Sequence, residues 1–151
     1  MRIAIILTMC FLPLMFAEVN GQELTQNDGY YYQNGKLFTG VYEEKNESNQ
    51  VVSKLSISKG LLNGESEIYD NGILVEKRNF RKGQKHGQWS KFEHGKQVSC
   101  AQFLNDKKHG KWRIWDTDGT LRYEMFYKKG KKSGVWKMWD EKGSLISEKA
   151  Y

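Results

Sequence analysis

Glycine punctuation at a near-constant interval constrains this chain more than any other feature. Glycines stand at Gly40, Gly64, Gly87, Gly110 and Gly134, separated by 24, 23, 23 and 24 residues. Four residues before the later ones come Gly60, Gly83, Asp106 and Gly130, and eight or nine after them Gly72, Gly95, Gly119 and Gly143. Two turns per unit are therefore marked, and self-similarity at this period is the signature of a repeat architecture. The runs between turns are about 6 to 9 residues long and rich in aromatic and branched side chains, the pattern of a β-hairpin. Two glycine turns in every unit leave segments too short for stable helices. The expected fold is all-β: an elongated antiparallel meander of tandem hairpins, about ten strands over residues 34–151, with a lead-in at 22–33.

Aromatic positions recur in the same register. Tyr42, Trp89, Trp112 and Trp136 stand two residues after the leading glycine, and Ser66 breaks the series. Tyr69, Phe92, Trp115 and Trp139 stand five after it, and Ile57, Phe80, Phe103, Tyr127 and Tyr151 form a third row. Positions two and five differ by three, so a regular strand sends them to opposite faces. The expectation is that Trp89, Trp112 and Trp136 pack with Leu121 and Leu145 as a buried ladder. The row Tyr69, Phe92, Trp115 and Trp139 then either forms an exposed stripe for a partner or is buried by a bulge or by curling of the sheet.

Units such as Gly87-Gln88-Trp89-Ser90-Lys91-Phe92 and Gly110-Lys111-Trp112-Arg113-Ile114-Trp115, with the opening Asn34-Gly35-Lys36-Leu37-Phe38-Thr39-Gly40, resemble the bacterial variant of the MORN repeat. The resemblance runs from about Asn34 to Tyr151 and is similar to the YwqK-like antitoxin group. It implies stacked hairpins, scaffolding, dimerisation or membrane contact, and in some relatives an antitoxin role against a toxin. It brings no catalytic residue. The first unit departs from the pattern, with the polar stretch Glu43 to Gln50 in place of an inner glycine turn.

Residues 1–21 read as a signal peptide helix. Met1-Arg2 precede an apolar run from Ile3 to Phe16, shorter than the roughly 20 residues of a spanning helix, and Val19 and Gly21 are small enough for cleavage after Gly21. A secreted protein, periplasmic or extracellular, is the resulting expectation. Removal of Cys10 with the leader leaves Cys100 as the one thiol, so no internal disulfide is expected.

Charge is polarised along the chain, which carries 24 Lys plus Arg against 18 Asp plus Glu. Residues 22–70 hold 4 basic and 8 acidic residues, and residues 71–151 hold 19 and 9. In a meander alternate turns project from opposite ends of the strands. The linker turns, with Arg81-Lys82, Lys85, Lys107, Lys108, Lys128, Lys129, Lys131 and Lys132, should form a basic rim; the inner turns, with Asp70, Glu93, Asp116, Asp118, Asp140 and Glu141, an acidic one. A cation every two strands, about 10 Å, would sum its field with its neighbours, although charged turns also serve solubility alone.

Chemistry at a reaction centre is not indicated. His86 and His109 occupy equivalent positions about 10 Å apart, too far for one ion. Asp116 and Asp118 flank a turn glycine, where aspartates satisfy backbone amides. The chain is therefore expected to be no enzyme, to need no cofactor or metal, and to bind no nucleic acid. The expected partner is a protein, glycan or anionic lipid of the cell envelope, met through Tyr69, Phe92, Trp115, Trp139, Lys107, Lys108, Lys128, Lys129, Lys131 and Lys132. Alternatives are a peripheral attachment to anionic membranes through the basic rim and an antitoxin role, and the last strand offers an edge for a homodimer.

Overall fold

The computed structural model describes residues 18, 19 and 22–151, as strands joined by turns and short connections, so most of the leader reading lies outside the described residues. A lead-in ribbon comprises β1 (Glu18–Val19), β2 (Gln22–Asn27), β3 (Tyr30–Gln33) and β4 (Lys36–Leu37). The hairpin units follow: β5 (Gly40–Lys45), β6 (Val51–Ser58), β7 (Leu61–Leu62), β8 (Gly64–Asp70), β9 (Ile73–Arg81), β10 (Gln84–Glu93), β11 (Lys96–Leu104), β12 (Lys107–Lys108), β13 (Gly110–Trp115), β14 (Leu121–Lys128), β15 (Lys131–Trp139) and β16 (Leu145–Ala150). Their order in the sheet is their order in the chain, an antiparallel meander of ten strands from β5 to β16, with the short β7 and β12 pairing beside it.

The turns explain the register. Lys59-Gly60, Asn71-Gly72, Lys82-Gly83, His94-Gly95, Asn105-Asp106 and Lys129-Gly130 all have positive φ at both positions, as two-residue hairpins with right-handed twist require. The other inner turns are built on an Asx side chain. Asp116 Oδ1 accepts from the Thr120 N–H at 2.9 Å, and Asp140 Oδ1 from the Lys142 and Ser144 N–H groups at 2.9 and 2.8 Å. Asn46 does the same in the first unit, accepting from Ser48 and Gln50 at 3.0 Å, so its polar stretch is a variant of these turns.

Each unit also carries a bulge. Pairing skips Val52, Val75, Val98, Arg122 and Ile146, one residue in the second strand of every hairpin. A second irregularity falls at the leading glycines of β10 and β15, between Lys85 and Trp89 on one strand and opposite Glu124 to Phe126 in the other case. Neighbouring units are tied by main-chain bonds at the linker turns: Gly60 N–H to Phe38 O at 2.7 Å, Gly83 to Leu62 at 2.8 Å, Asp106 to Lys85 at 3.0 Å and Gly130 to Lys108 at 2.8 Å.

A small core sits at one end. Leu24, Tyr42 and Ile57 are buried, with Tyr31, Phe38, Leu55 and Leu62 packed on them, where the lead-in ribbon folds against the first unit. Beyond it the side chains of the sheet are mostly half-buried or exposed, Val98 being a buried exception. Stability there has to come from cross-strand pairs along a single layer.

Candidate binding surface

Strand alternation separates two faces with different chemistry. On the first, a continuous file of rings runs Phe80, Trp89, Phe103, Trp112, Tyr127, Trp136, Tyr151. Successive centroids lie 4.9 to 5.3 Å apart at interplanar angles of 54 to 61°. Such tilted pairs contribute about 0.5–1.5 kcal/mol each beyond burial. Six of them give roughly 3–9 kcal/mol, a large share of the 5–15 kcal/mol typical of a domain.

Gly87 and Gly110 are the cross-strand partners of Phe103 and Tyr127 and hold φ of +77° and +68°, and a Cβ there would meet the Asn79 or Gln102 side chain on the neighbouring strand. Each indole N–H is satisfied by a main-chain carbonyl: Trp89 by Asn79 at 2.8 Å, Trp112 by Gln102 at 3.0 Å and Trp136 by Phe126 at 2.9 Å. The expected partners of this row, Leu121 and Leu145, instead lie opposite Trp115 and Trp139. Nor are the three tryptophans deeply buried, because no second layer covers them among the described residues.

Lysines lie on the rings. Lys85 Nζ is 4.6 Å from the Trp89 centroid and 5.4 Å from Phe103. Lys108 Nζ is 4.5 Å from Trp112 and 4.9 Å from Tyr127, and Lys132 Nζ 4.4 Å from Trp136 and 4.7 Å from Tyr151. Each ammonium is thus held between two members of the file by cation–π attraction. Among the described residues none of the three meets a carboxylate within ion-pair distance. Of the residues expected at the surface, Lys108 and Lys132 belong to this row, while Lys107, Lys128, Lys129 and Lys131 are exposed outside it. Lys85 was missed as a site residue, although Lys85, Lys108 and Lys132 all stand two residues before a leading glycine. In the first two units that slot holds Phe38 and Leu62, which belong to the capped core. The cation row begins where the cap ends.

The opposite face is neutralised by its own pairs. Lys54 meets Glu43 at 3.0 Å, Lys77 meets Glu65 and Glu67 at 2.9 and 3.0 Å, Arg113 and Lys111 share Glu124 at 2.8 and 3.6 Å, and Lys137 meets Glu148 at 3.3 Å. The row Tyr69, Phe92, Trp115 and Trp139 alternates onto this face and is half-buried at every position. It is not joined to the lysine row. The Tyr69 hydroxyl donates to Glu67 at 2.6 Å, which raises the tyrosine above its ordinary range and, with Lys77, lowers Glu67. For Glu124 burial acts upward, but the hydrogen bond from Arg113 and the charge of Lys111 win, and the carboxyl ends below its ordinary value.

Because both glutamates have folded values below their unfolded ones, the stability they contribute is present above the ordinary carboxylate range and lost as pH falls through the folded values. The urea midpoint is expected to drop between about pH 5 and about pH 3. Glu124→Gln should lower the midpoint at neutral pH and flatten that drop; an unchanged acid slope in this variant rejects the assignment.

Other polar groups have local duties. His86 Nδ1 lies 3.2 Å from Asn105 Oδ1, and His109 Nδ1 accepts from the Lys129 N–H at 3.4 Å, so both histidines tie one linker turn to the next. Cys100 is a half-buried free thiol whose pKa burial raises; its strand partners are Ser90 and Arg113, and His94 lies away from it in a turn.

A meander of near-identical hairpins, exposed on both faces and held by side-chain files, defines a β-hairpin repeat protein. Residues 108–129, running from the ring-bound Lys108 to the turn residue Lys129, match the family model described as the MORN repeat variant. That segment is similar to a MORN-type repeat, which suggests a binding or scaffold type of module. No curated protein matches the chain.

Proposed function

We propose that the protein is a secreted, non-catalytic binding or scaffold module that meets a macromolecule of the cell envelope through the lysine–aromatic row. The observation carrying this reading is the contrast between the faces. Cations on the opposite face pair with carboxylates, and on the file face Arg78 and Lys91 share Glu76, whereas among the described residues Lys85, Lys108 and Lys132 are held on the rings without one. Charges fixed in this way lose little side-chain freedom on binding, and that lowers the cost of recognition. The exposed Lys107, Lys128, Lys129 and Lys131 extend the positive field around the row.

The test is capture from an envelope extract with the chain immobilised, in parallel with a Lys85→Glu/Lys108→Glu/Lys132→Glu variant whose circular dichroism matches the parent. Material retained by the parent at low salt should be lost from the variant. Equal retention by both, or no retention by the parent, overturns the assignment.

Ammonium groups beside indoles also suit an anionic membrane surface, each surface cation adding about 1 kcal/mol near acidic headgroups. Sedimentation with anionic vesicles tests this second reading, and unchanged binding after charge reversal at Lys128, Lys129, Lys131 and Lys132 rejects it.

A further inference from the structure

We infer that the partner of this row is a linear acidic polysaccharide, lying across the strands with its carboxylates on Lys85, Lys108 and Lys132 and one sugar ring seated between Trp89 and Trp112. The inference rests on the binding reading above and narrows it to one chemistry. Three observations carry it.

The first is the spacing of the charges. The ammonium groups recur once per hairpin, every second strand, so their interval is about 10 Å. In an extended β(1→4)-linked uronan alternate residues turn the same side toward a surface, so that carboxylates recur along one edge at a comparable interval. A row of unneutralised cations in single file complements a single anionic chain.

The second is twist. Lys85 lies on β10 and Lys132 on β15, four strand steps apart through β11, β13 and β14. Neighbouring strands rotate by roughly 20–25°, so the row turns by roughly 80–100° over that length. A planar bilayer meets only part of such a row at once, whereas a chain with rotatable linkages follows it.

The third is a groove on the same face. Beside the Phe103 ring, which stands between Trp89 and Trp112 in the file, the intervening strand presents the small Ala101 and Ser99, leaving about 170 Å³ open above them and bordered by both indoles. Other units fill the slot of Ala101 with Leu55, Arg78, Met125 or Lys149, each likewise opposite the second residue after a leading glycine. Indole walls suit the apolar face of a pyranose. At the far rim Glu76 is bound by Arg78 at 2.6 Å and Lys91 at 3.5 Å. That cluster offers acceptors and donors to sugar hydroxyls and keeps a net positive charge.

The experiment is calorimetric titration of the full chain with β(1→4)-linked mannuronate oligomers, with cello-oligosaccharides of equal length, a single-stranded oligonucleotide and phosphatidylglycerol vesicles as comparison probes. Mannuronate should bind, more weakly as salt rises, and the cello-oligosaccharides should bind much more weakly. Lys85→Gln/Lys108→Gln/Lys132→Gln should weaken mannuronate binding by about tenfold or more, and Lys128→Gln/Lys129→Gln/Lys131→Gln, which removes the same charge outside the file, by much less. Ala101→Leu changes no charge and places in the groove a side chain that the first unit accepts at Leu55. It should weaken binding severalfold with an unchanged melting temperature.

Equal losses in the two lysine variants, or no effect of Ala101→Leu, overturn the inference. So does tighter binding to the vesicles or to the oligonucleotide at equal anion concentration. Absence of mannuronate binding with lysine-dependent capture intact overturns this inference alone; loss of both removes the binding reading with it.

Discussion

Replacing Trp112 with alanine is expected to cost about 3 kcal/mol and to split the cooperative unfolding of the sheet in two. Interior Trp→Ala changes cost about 3–5 kcal/mol, and the half-exposed position places this one at the lower end. The indole touches Phe103 and Tyr127, each with centroids 5.2 Å away, seats the Lys108 ammonium, and satisfies the carbonyl of Gln102. Its removal breaks the file near its middle. In a repeat array stability is close to a sum of units and nearest-neighbour terms, so loss of one interface uncouples the two sides. Residues from Gly110 onward, far from the capped core of Leu24, Tyr42 and Ile57, should open first. Hydrogen exchange should show amides of β14 and β15 losing protection before those of β5 and β6. Trp115→Ala is the comparison, since Trp115 is also half-buried but has no place in the file. It should cost clearly less, and equal urea midpoints for the two variants would remove the file from its proposed role.

Most of the fold could be read from the turns. A dipeptide such as Asn71-Gly72 or Lys82-Gly83 fixes a hairpin reversal locally, and the 23–24-residue period places every strand between them. The bulges at Val52, Val75, Val98, Arg122 and Ile146 are periodic too. They left no readable mark, because an extra residue among good strand formers alters no residue type. That extra residue set the partners of Leu121 and Leu145, and so misdirected the expected packing of the tryptophan row.

The site was legible in part for a related reason. Phe80, Phe103, Tyr127 and Tyr151 were visible as a row, but their contact with Trp89, Trp112 and Trp136 depends on register: the leading glycine must face the third-row ring. The basic rim could be counted, yet a count does not separate Lys132, held 4.4 Å from a ring centre, from Lys131 beside it. The distinction comes from which way a side chain leaves the strand, and the constant offset of Lys85, Lys108 and Lys132 from their glycines was its trace in the sequence.

Gly60→Ala is expected to destabilise the protein by about 2–4 kcal/mol and to loosen the lead-in ribbon, whereas Gly72→Ala should cost only about 1–2 kcal/mol. The two glycines have nearly the same φ, +77° and +78°, so the left-handed strain of a Cβ is common to both. Their surroundings differ. At Gly72 a Cβ enters open space; at Gly60 it would stand 2.6 Å from Leu37 Cδ2 and 3.2 Å from both Tyr30 Cδ1 and the Tyr31 carbonyl oxygen. Leu37 is half-exposed and can rotate away. The Tyr31 carbonyl cannot, because it accepts from the Phe38 N–H at 2.9 Å while the Tyr31 N–H donates to Gly60 O at 2.8 Å. Relief must therefore come from a shift of the ribbon, which uncovers Leu24, Tyr42 and Ile57 and weakens the end from which the ring file is supported. Thermal melts of the two variants give the difference in stability directly. Faster amide exchange at Tyr31 and Phe38 in Gly60→Ala alone would locate its origin in the cap, and equal losses in both variants would show that the ribbon contributes nothing beyond its turns.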